Sequence, residues 1–487
     1  MGIEVEVEQF TAADFAQFSQ RLRESLKDLR TLLARPGVGT APPSIGLEVE
    51  MHLVDAQAQP ACVSEQVQRR AQDARCTLEI DAFNFEINTR PTRLAGRPFE
   101  QLGQELHELL TKTQNAASES GARVLLAGTL PTLTVEQLRG PVLSDSARYR
   151  AMSRALRSKR GGPFVINIAG REQLHAECED LTLEGANASL QVHLLVSPAD
   201  FPSIYNAAQL AVGPLVAATA NSPFFDERCL WEETRIALFK QATDVRADEQ
   251  ARMRMPARVS LGHGFIHDPV FLFEQNVAMF EPLLPVISGR AEVDGVPALD
   301  ELRLHHGTIW DWNRAVYDPA LGGHLRLEHR VVASGPTPTD MLANAAFTLG
   351  LTLGIAPLMQ AWLPAFPFAY AERNLYRAAK HGLDADLAWP AAQAPSPRIR
   401  NARELVIELL PVAQQALVQH GVDATEAAHL LGVIRERVVT GNTGAAAQRR
   451  LVARYEPQLP RAQALARMVE DYLALSGSGV PVHAWQL

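Results

Sequence analysis

Two hydrophobic periodicities divide the first part of the chain. From Ala12 to Leu33, apolar side chains recur at helical intervals with charged residues between them, which predicts an amphipathic helix. From Ser44 the pattern changes to strict alternation, which is typical of a β-strand with two different faces. The apolar face carries Ile45, Leu47, Val49, Met51 and Leu53, and the opposite face carries Glu48, Glu50 and His52.

The same alternation of apolar and polar positions recurs in three later segments. They are residues 83–88 (FNFEIN), 190–194 (LQVHL) and 325–330 (LRLEHR). Helical patterns separate them, including Phe99 to Ser118 and Ile204 to Ala220. This order predicts an α+β fold in which helices cover the apolar face of one sheet, while its polar face lines a cavity.

After Pro338 the pattern becomes almost wholly helical. We predict helices over residues 340–363, 371–381, 402–420, 425–440 and 444–475. The stretch from Trp389 to Pro397 is rich in proline and alanine and is predicted as a linker. We therefore divide the chain into a first domain, residues 1–390, and a helical extension packed on it, residues 391–487.

One apolar segment has the length of a membrane span. Met341 to Ala371 contains no charged residue, but Asn344, Gln360 and three prolines interrupt it. These interruptions favour a buried core helix over a transmembrane helix. We predict no membrane association.

Composition narrows the function further. The chain of 487 residues has a formal charge of −9 with no long block of one sign, which argues against a nucleic-acid partner. Its four cysteines form no CxxC pair, so neither a zinc knuckle nor a disulfide scaffold is expected. The acidic start MGIEVEVEQF is unlike a secretory signal, and we expect a cytoplasmic protein.

The polar strand faces point to a metal site. Glu48 and Glu50 lie roughly 6 to 7 Å apart along a strand, a spacing that suits ligands of neighbouring ions. Together with Glu86, Glu328 and His193 they offer the oxygen-rich ligands that magnesium or manganese prefers. Converging carboxylates also repel one another unless cations neutralise them. The alternative is the solvated face of an edge strand, which the repetition in three further strands makes less favourable.

Magnesium suggests phosphate chemistry and ATP. Arg330, on the strand face of Glu328, could stabilise a transferring phosphoryl group, and Arg235 is a second candidate. The sequence contains no Walker loop, complete G-x-G-x-x-G, H-E-x-x-H or G-x-S-x-G motif. An ATP site in this chain must therefore be of another kind.

Four further residues are candidates for binding the nucleotide or the substrate. Lys159 precedes Arg160 and two glycines, a combination that suits either a phosphate loop or a surface turn. Arg148 and Arg150 could hold carboxylates, or could belong to a solvated basic helix. Asn221, in an Asn-Ser-Pro sequence, either places a polar group at the end of a buried helix or marks an ordinary helix stop.

Short segments resemble one known family. Ser44 to Glu50 (SIGLEVE) is similar to the opening strand of the carboxylate–amine ligases of the glutamate–cysteine ligase 2 group. Further segments agree in order: residues 85–89 (FEINT), 127–129 (AGT), 147–150 (ARYR), 192–193 (VH), 220–224 (ANSPF) and 327–330 (LEHR). Two departures are Glu48-Val49-Glu50 in place of three successive acidic residues, and His329 in place of an aliphatic residue.

The resemblance implies a glutamine synthetase-like domain whose antiparallel sheet cups ATP and two or three magnesium ions, with helices on its other face. The family's strand histidine falls on His193, and Arg330 corresponds to the family's arginine that faces the γ-phosphate. We predict Glu79 as a further ligand, although Asp81 fits the alternation equally. The family's metal-binding glutamates fall on Glu48, Glu50, Glu86 and Glu328.

Such enzymes phosphorylate a carboxylate, typically the γ-carboxylate of glutamate, and an amine then displaces the phosphate. We therefore predict an ATP-dependent ligase that acts on small-molecule amino acid and amine substrates. The alternatives are a metal-dependent amidohydrolase and a catalytically silent binding protein with a ligase fold. The sequence leaves the amine unidentified and allows a homo-oligomer.

Overall fold

The computed structural model describes residues 9–391 and 396–487. The first eight residues, which supplied part of the localisation argument, and residues 392–395 of the predicted linker lie outside this range. On either side of that gap, short strands at Asp386–Trp389 and Arg398–Asn401 pair with each other in antiparallel fashion.

Sixteen strands occur among the described residues. They are β1 (Ser44–Val54), β2 (Cys76–Leu78), β3 (Asn84–Asn88), β4 (Thr92–Arg93), β5 (Arg123–Leu125), β6 (Phe164–Ala169), β7 (Gln173–Cys178), β8 (Ser189–Val196), β9 (Phe224–Phe225), β10 (Arg228–Cys229), β11 (Glu292–Val293), β12 (Val296–Pro297), β13 (Asn313–Asp318), β14 (His324–Ala333), β15 (Asp386–Trp389) and β16 (Arg398–Asn401).

The described residues also form seventeen α-helices. They are α1 (Ala12–Leu33), α2 (Ser64–Ala71), α3 (Pro98–Glu119), α4 (Val135–Leu138), α5 (Ala147–Arg160), α6 (Phe201–Thr219), α7 (Thr234–Ala242), α8 (Asp248–Arg252), α9 (Val270–Met279), α10 (Asp300–His306), α11 (Pro338–Ile355), α12 (Met359–Trp362), α13 (Phe368–His381), α14 (Ala402–Gln419), α15 (Ala424–Thr440), α16 (Gly444–Tyr455) and α17 (Arg461–Gly477).

The helix predictions agree with these bounds, with two corrections. A capping box between Thr11 and Asp14 starts α1 where the pattern placed it. The single helix predicted over residues 444–475 is wrong, because α16 ends at Tyr455 and Pro460 occupies the N-cap of α17. The helix predicted over 340–363 is likewise shorter, since α11 ends at Ile355 and short turns with Pro357 and Pro364 follow it.

The central sheet brings the four patterned strands together. Its order is β13-β14-β8-β1-β3-β2, with β4 and β5 pairing to the two ends of β1. Every neighbouring pair is antiparallel. Strands distant in sequence, such as β1 and β8, therefore lie side by side, and their polar positions fall on one face.

Helices cover the other face of this sheet. Ile45, Leu47 and Val49 on β1 are at most 1% exposed, and α3, α6 and α11 pack against β1, β8, β13 and β14. Burial of this apolar face is the main driving force for the layered arrangement. The α+β architecture predicted from the sequence is confirmed.

The long apolar segment lies inside the protein. Pro338–Ala365 is the one helical stretch among the described residues that is long and apolar enough to cross a membrane, and 78% of its most apolar window is buried. Helices α14 and α15 pack against α11. The interpretation of this segment as a core helix is confirmed.

Candidate metal and nucleotide site

Strand register places the predicted ligands opposite one another on the polar face. Glu50 on β1 pairs with Glu86 on β3, and Glu328 on β14 pairs with His193 on β8. Glu48 lies two residues before Glu50 on β1 and therefore on the same face. Two groups of side chains result, one on each side of the β1 strand axis.

The first group is the histidine triad, formed by Glu48, His193 and Glu328. One ligand atom from each residue lies within 4.8 Å of the other two. The Nε2 atom of His193 is 3.1 Å from Glu48 Oε1 and 3.7 Å from Glu328 Oε1. Two carboxylates and one imidazole at this separation are a suitable ligand set for a divalent cation.

The second group is the carboxylate triad, formed by Glu50, Glu79 and Glu86. Its ligand atoms also lie within 4.8 Å of one another. Three carboxylates without a nitrogen or sulfur ligand match the preference of magnesium and manganese for oxygen. Glu79 follows β2 directly, and the edge pairing of β2 with β3 carries it to Glu86.

Hydrogen bonds fix the orientation of two members of the carboxylate triad. Glu50 accepts from the backbone nitrogen of Ser189 at 2.6 Å and from the amide of Gln191 at 2.7 Å. Glu86 accepts from the hydroxyl of Thr77 at 2.9 Å and from the amide of Asn88 at 2.8 Å. Partners of this kind hold metal ligands in one rotamer.

The carboxylate triad is electrostatically strained without a cation. Burial, followed by repulsion from Glu48 and Glu50, raises the pKa of Glu86 to about 8. Burial and the neighbouring Glu86 carboxylate raise the pKa of Glu79 well above its usual range. A bound divalent cation would remove this repulsion, so the donor set and its charge fit a metal ion.

The histidine triad has the opposite balance. Burial opposes ionisation of Glu48, but the neighbouring His193 outweighs it, and the pKa of Glu48 is lowered to about 2. Burial also opposes ionisation of Glu328, yet Arg314 and then Arg330 hold its pKa well below its usual range. Both carboxylates are therefore ionised at neutral pH and ready to bind a cation.

Arg330 lies between the two triads. Its Nη1 atom donates to Gln191 Oε1 at 2.5 Å and is 3.5 Å from Glu328 Oε2. Arg330 and Val331 form a β-bulge, because β14 pairs with β8 at His329 and resumes at Val332 with only one β8 residue between the two partners. A bulge changes the direction of a side chain, and here it accompanies an arginine on the face that carries the candidate metal ligands.

Arg235 and Asn221 lie deeper in the protein. Arg235 is 2% exposed and donates to Glu233 and to the backbone carbonyls of Arg330 and Val331. Asn221 is 0% exposed, and its side-chain amide contacts buried protein groups, including the Tyr472 hydroxyl at 2.9 Å. Both side chains are engaged within the fold.

The basic residues of α5 occupy different environments. At its N-terminal end, Arg148 adjoins Tyr149, whose hydroxyl donates to the Leu78 carbonyl at 3.1 Å beside the carboxylate triad. Arg150 forms an ion pair with Asp145. At the other end Lys159 forms an ion pair with Glu281, and Gly161 at φ 67° is the helix C-cap. The segment is a helix end rather than a phosphate loop.

Three contributors to the site were missed in the sequence. Arg314 donates to both oxygens of Glu328, and Gln191 joins Glu50 to Arg330. Glu184 lies close enough that burial and the Glu50 carboxylate raise its pKa to about 8. The alternation that marks His193 also marks Gln191, so that residue was within reach of the pattern.

Two known proteins are similar to this chain over most of its length. One is a crystal structure of glutamate–cysteine ligase from Francisella tularensis in complex with AMP. The match covers 92% of this chain and 95% of the Francisella chain, with a TM-score of 0.55 and 12% sequence identity. A Rubrobacter xylanophilus protein with the provisional name glutamate–cysteine ligase 2-3 is 25% identical over 448 residues, covering 90% of this chain and 98% of the relative.

The fold is therefore that of a glutamate–cysteine ligase, and the protein is an enzyme of the amide-bond-forming ligase class. The family model "Glutamate-cysteine ligase family 2 (GCS2)" matches residues 44–471. The chain belongs to this family, whose members use ATP. The matched range includes all twelve site residues predicted from the sequence.

Proposed function

We propose that the protein joins a carboxylate to an amine through an acyl-phosphate, with the γ-carboxylate of glutamate as the activated group. The observation that carries this proposal is the juxtaposition of two candidate metal-ligating triads with Arg330 on the polar face of one sheet. Phosphoryl transfer needs this combination of fixed cations near the transferring group. Membership of the ligase family supports it.

In this proposal the histidine triad and the carboxylate triad each hold a magnesium or manganese ion. When bound, the ions neutralise charge on the nucleotide phosphates. Gln191 keeps Arg330 and Glu50 in fixed relative positions, since it accepts from the first and donates to the second. Arg330 is then oriented to stabilise negative charge that develops on the transferring phosphoryl group.

The chemistry has two steps. A substrate carboxylate oxygen attacks the γ-phosphorus of ATP, and the bond to the β,γ-bridging oxygen breaks to release ADP. The amine nitrogen then attacks the acyl carbon, the carbon–oxygen bond to phosphate breaks, and the amine loses a proton to solvent. No protein nucleophile takes part, so positioning and electrostatics supply the catalysis.

Calorimetric titration with ATP tests the nucleotide site. With magnesium, we expect wild-type protein to bind ATP, and Glu48→Gln and Glu328→Gln to lose that binding because each removes a ligand charge from the histidine triad. Glu136→Gln is the matched control, since the Glu136 side chain is 78% exposed and forms a surface ion pair with Arg139. Magnesium-independent binding, or none in the wild type, contradicts the proposal.

Isotope transfer tests the acyl-phosphate. Glutamate labelled with ¹⁸O in its γ-carboxylate should pass one labelled oxygen to inorganic phosphate during turnover with ATP and an amine. Hydroxylamine should trap the same species as the γ-hydroxamate. Label that appears in the phosphate only from an α-carboxylate would reassign the activated group, and ADP release without label transfer would exclude the acyl-phosphate.

A further inference from the structure

A chain of buried contacts connects the C-terminal helices to the bulge that carries Arg330. It begins at α16 and α17, where Gln448 donates to Asn221 Oδ1 at 2.8 Å and Asn221 donates to the Tyr472 hydroxyl at 2.9 Å. Gly444, at the start of α16, packs so closely that an added Cβ would lie 2.1 Å from Asn221 Oδ1. This end of the chain therefore fits tightly against Asn221.

The next contact leads from Asn221 to Arg235. The backbone nitrogen of Asn221 donates to Glu233 Oε2 at 2.8 Å, and the other oxygen of Glu233 accepts from Arg235 Nε at 3.1 Å. Glu233 is 1% and Arg235 2% exposed. A buried ion pair contributes little to stability by itself but fixes the geometry of its partners when its hydrogen bonds are satisfied.

The last contact reaches the bulge. Arg235 donates through Nη1 to the carbonyl of Arg330 at 3.3 Å and through Nη2 to the carbonyl of Val331 at 2.6 Å. These are the two bulged residues, whose ladder with β8 is interrupted. Buried carbonyls that lack a ladder partner need another donor, and the planar guanidinium supplies donors to both at once.

We propose that Arg235 is a positioning residue that holds the β14 bulge so that Arg330 lies at the metal site, and that the C-terminal helices fix Arg235 through Asn221 and Glu233. The inference rests on the proposed function of Arg330. It gives the helices after residue 390 a role in assembling the site. Arg235 is predicted from the sequence to contact the transferring phosphoryl group directly. We instead expect it to act indirectly, through its hydrogen bonds to the β14 backbone.

Hydrogen–deuterium exchange of the full-length protein measures the bulge directly. In Arg235→Lys, which keeps the charge but cannot donate to Glu233 and both carbonyls together, we expect exchange of residues 324–333 to rise about threefold or more. Residues 44–54 of β1 should not change. Arg75→Lys is the matched control and should leave residues 324–333 unchanged, because Arg75 also donates to three partners, Asp73, Glu105 and Glu108, but does so at the β2 edge of the sheet, four strands from β14.

A glycine pair tests the contribution of the C-terminal helices. Gly444→Ala should displace α16 from Asn221 and raise exchange in residues 324–333, as Arg235→Lys does. Gly432→Ala, in α15, is the control, since an added Cβ there meets nothing within 4 Å. Equal exchange of the β14 peptide in the two alanine variants would overturn the link to the C-terminal helices.

A double-mutant cycle tests the action through Arg330. With ATP, magnesium, glutamate and cysteine as probes, Arg235→Lys should lower kcat about tenfold with KM for ATP nearly unchanged. In an Arg330→Gln background the same change should lower kcat no further, because the group that it positions is gone. Effects that multiply, or an unchanged β14 peptide, overturn the inference. Absence of magnesium-dependent ATP binding in the wild type would instead refute the proposed function and leave the exchange comparison valid.

Discussion

The guanidinium of Arg314 holds both carboxylate oxygens of Glu328, with Nε to Oε2 at 2.6 Å and Nη2 to Oε1 at 3.0 Å. The two residues are direct partners across the pair of β13 and β14. A bidentate contact of this kind sets the plane of the carboxylate. The ligand that Glu328 offers to the histidine triad is therefore positioned by a residue that is not itself in the triad.

Arg314→Gln should weaken the metal site without removing a ligand. We expect the magnesium concentration needed for half-maximal ATP binding to rise about 10- to 100-fold, as is usual when a partner of a metal ligand is lost. Titration of ATP binding against magnesium measures this. Arg326→Gln, on β14 with a partly exposed pairing to Asp318 at 3.5 Å, should change it less than twofold; an equal effect of both variants would contradict the role of Arg314.

Glu79→Gln should have opposite effects on the metal-free and metal-bound protein. Burial and repulsion from Glu86 and Glu50 disfavour the charged form of Glu79, so a neutral amide of the same shape should leave Tm in EDTA equal or about 1 to 2 °C higher. The rise in Tm that magnesium and ATP produce should shrink, because one ligand charge is lost. Differential scanning fluorimetry with and without magnesium measures both. A lower Tm in EDTA with an undiminished response to magnesium would exclude Glu79 from the site.

Glu86 and Glu184 should each make the metal-free protein less stable as pH rises from about 5 to 8. Glu86 and Glu184 have pKa values of about 8 in the folded protein, both raised from 4.5, by burial first and nearby carboxylates second. The folded state therefore binds protons that the unfolded chain has already released, so the free energy of unfolding falls as pH rises. Each group contributes at most about 1.4 kcal/mol per pH unit.

Urea denaturation in EDTA across this pH range measures that slope. Glu86→Gln should make it less steep, because the substituted amide does not titrate. Magnesium with ATP should also reduce it, since a bound cation stabilises the ionised carboxylates. The buried histidines His52, His306 and His329 have lowered pKa values and act in the opposite direction in both proteins, so the comparison with Glu86→Gln is decisive. An identical pH dependence in wild type and Glu86→Gln would contradict the predicted protonation of Glu86.

His329→Leu should cost stability rather than catalysis. The His329 ring lies on the apolar side of β14, where its Nδ1 is 3.0 Å from Asn313 Oδ1, and Asn313 in turn donates to Gln209 at 2.8 Å. Loss of this buried partner should lower the free energy of unfolding by about 1 to 3 kcal/mol. Burial, followed by the charge of His193, lowers the pKa of His329 from 6.5 to about 3. The unfolded chain still takes up this proton near pH 6.5, so the contribution of His329 to the free energy of unfolding should increase from about pH 6 and level off by about pH 8.

Urea denaturation and kcat for ADP release separate the two effects. His107→Leu, on the exposed side of α3, is the control and should leave the free energy of unfolding within about 0.5 kcal/mol. A large loss of kcat in His329→Leu at unchanged stability would give this histidine a part in the reaction instead.

Much of the site could be predicted because its ligands lie on strands. A period of two forces the polar residues of a strand onto one face once the other face is buried, so Glu48, Glu50, Glu86, His193 and Glu328 could be found before any pairing was known. The helix over residues 444–475 failed for a local reason, since Pro460 lacks the backbone N–H needed to continue it. The sequence contained that signal.

Other features depended on contacts between distant segments. Arg235 and Arg330 cannot be told apart by local sequence. Hydrogen bonds show the difference, since Arg235 donates to the backbone carbonyl of Val331, whereas Arg330 lies beside Glu328 at the candidate metal site. Asn221 is similar, because its surroundings come from the chain near residues 126, 334, 448 and 472. No local pattern encodes such a set of partners.

Local patterns along the chain specify the polar and apolar strand faces, most helices and, through short motifs, the ligase family. Only the packing of the whole chain shows which strands are neighbours, and therefore that six candidate ligands divide into two triads, that Arg314 contacts both oxygens of Glu328 and that the C-terminal helices connect to the β14 bulge. The difference comes from the distance along the chain over which each feature arises. Periodicity follows from backbone geometry within a few residues, whereas pairing register and electrostatic environment arise only when separate segments of the chain pack together.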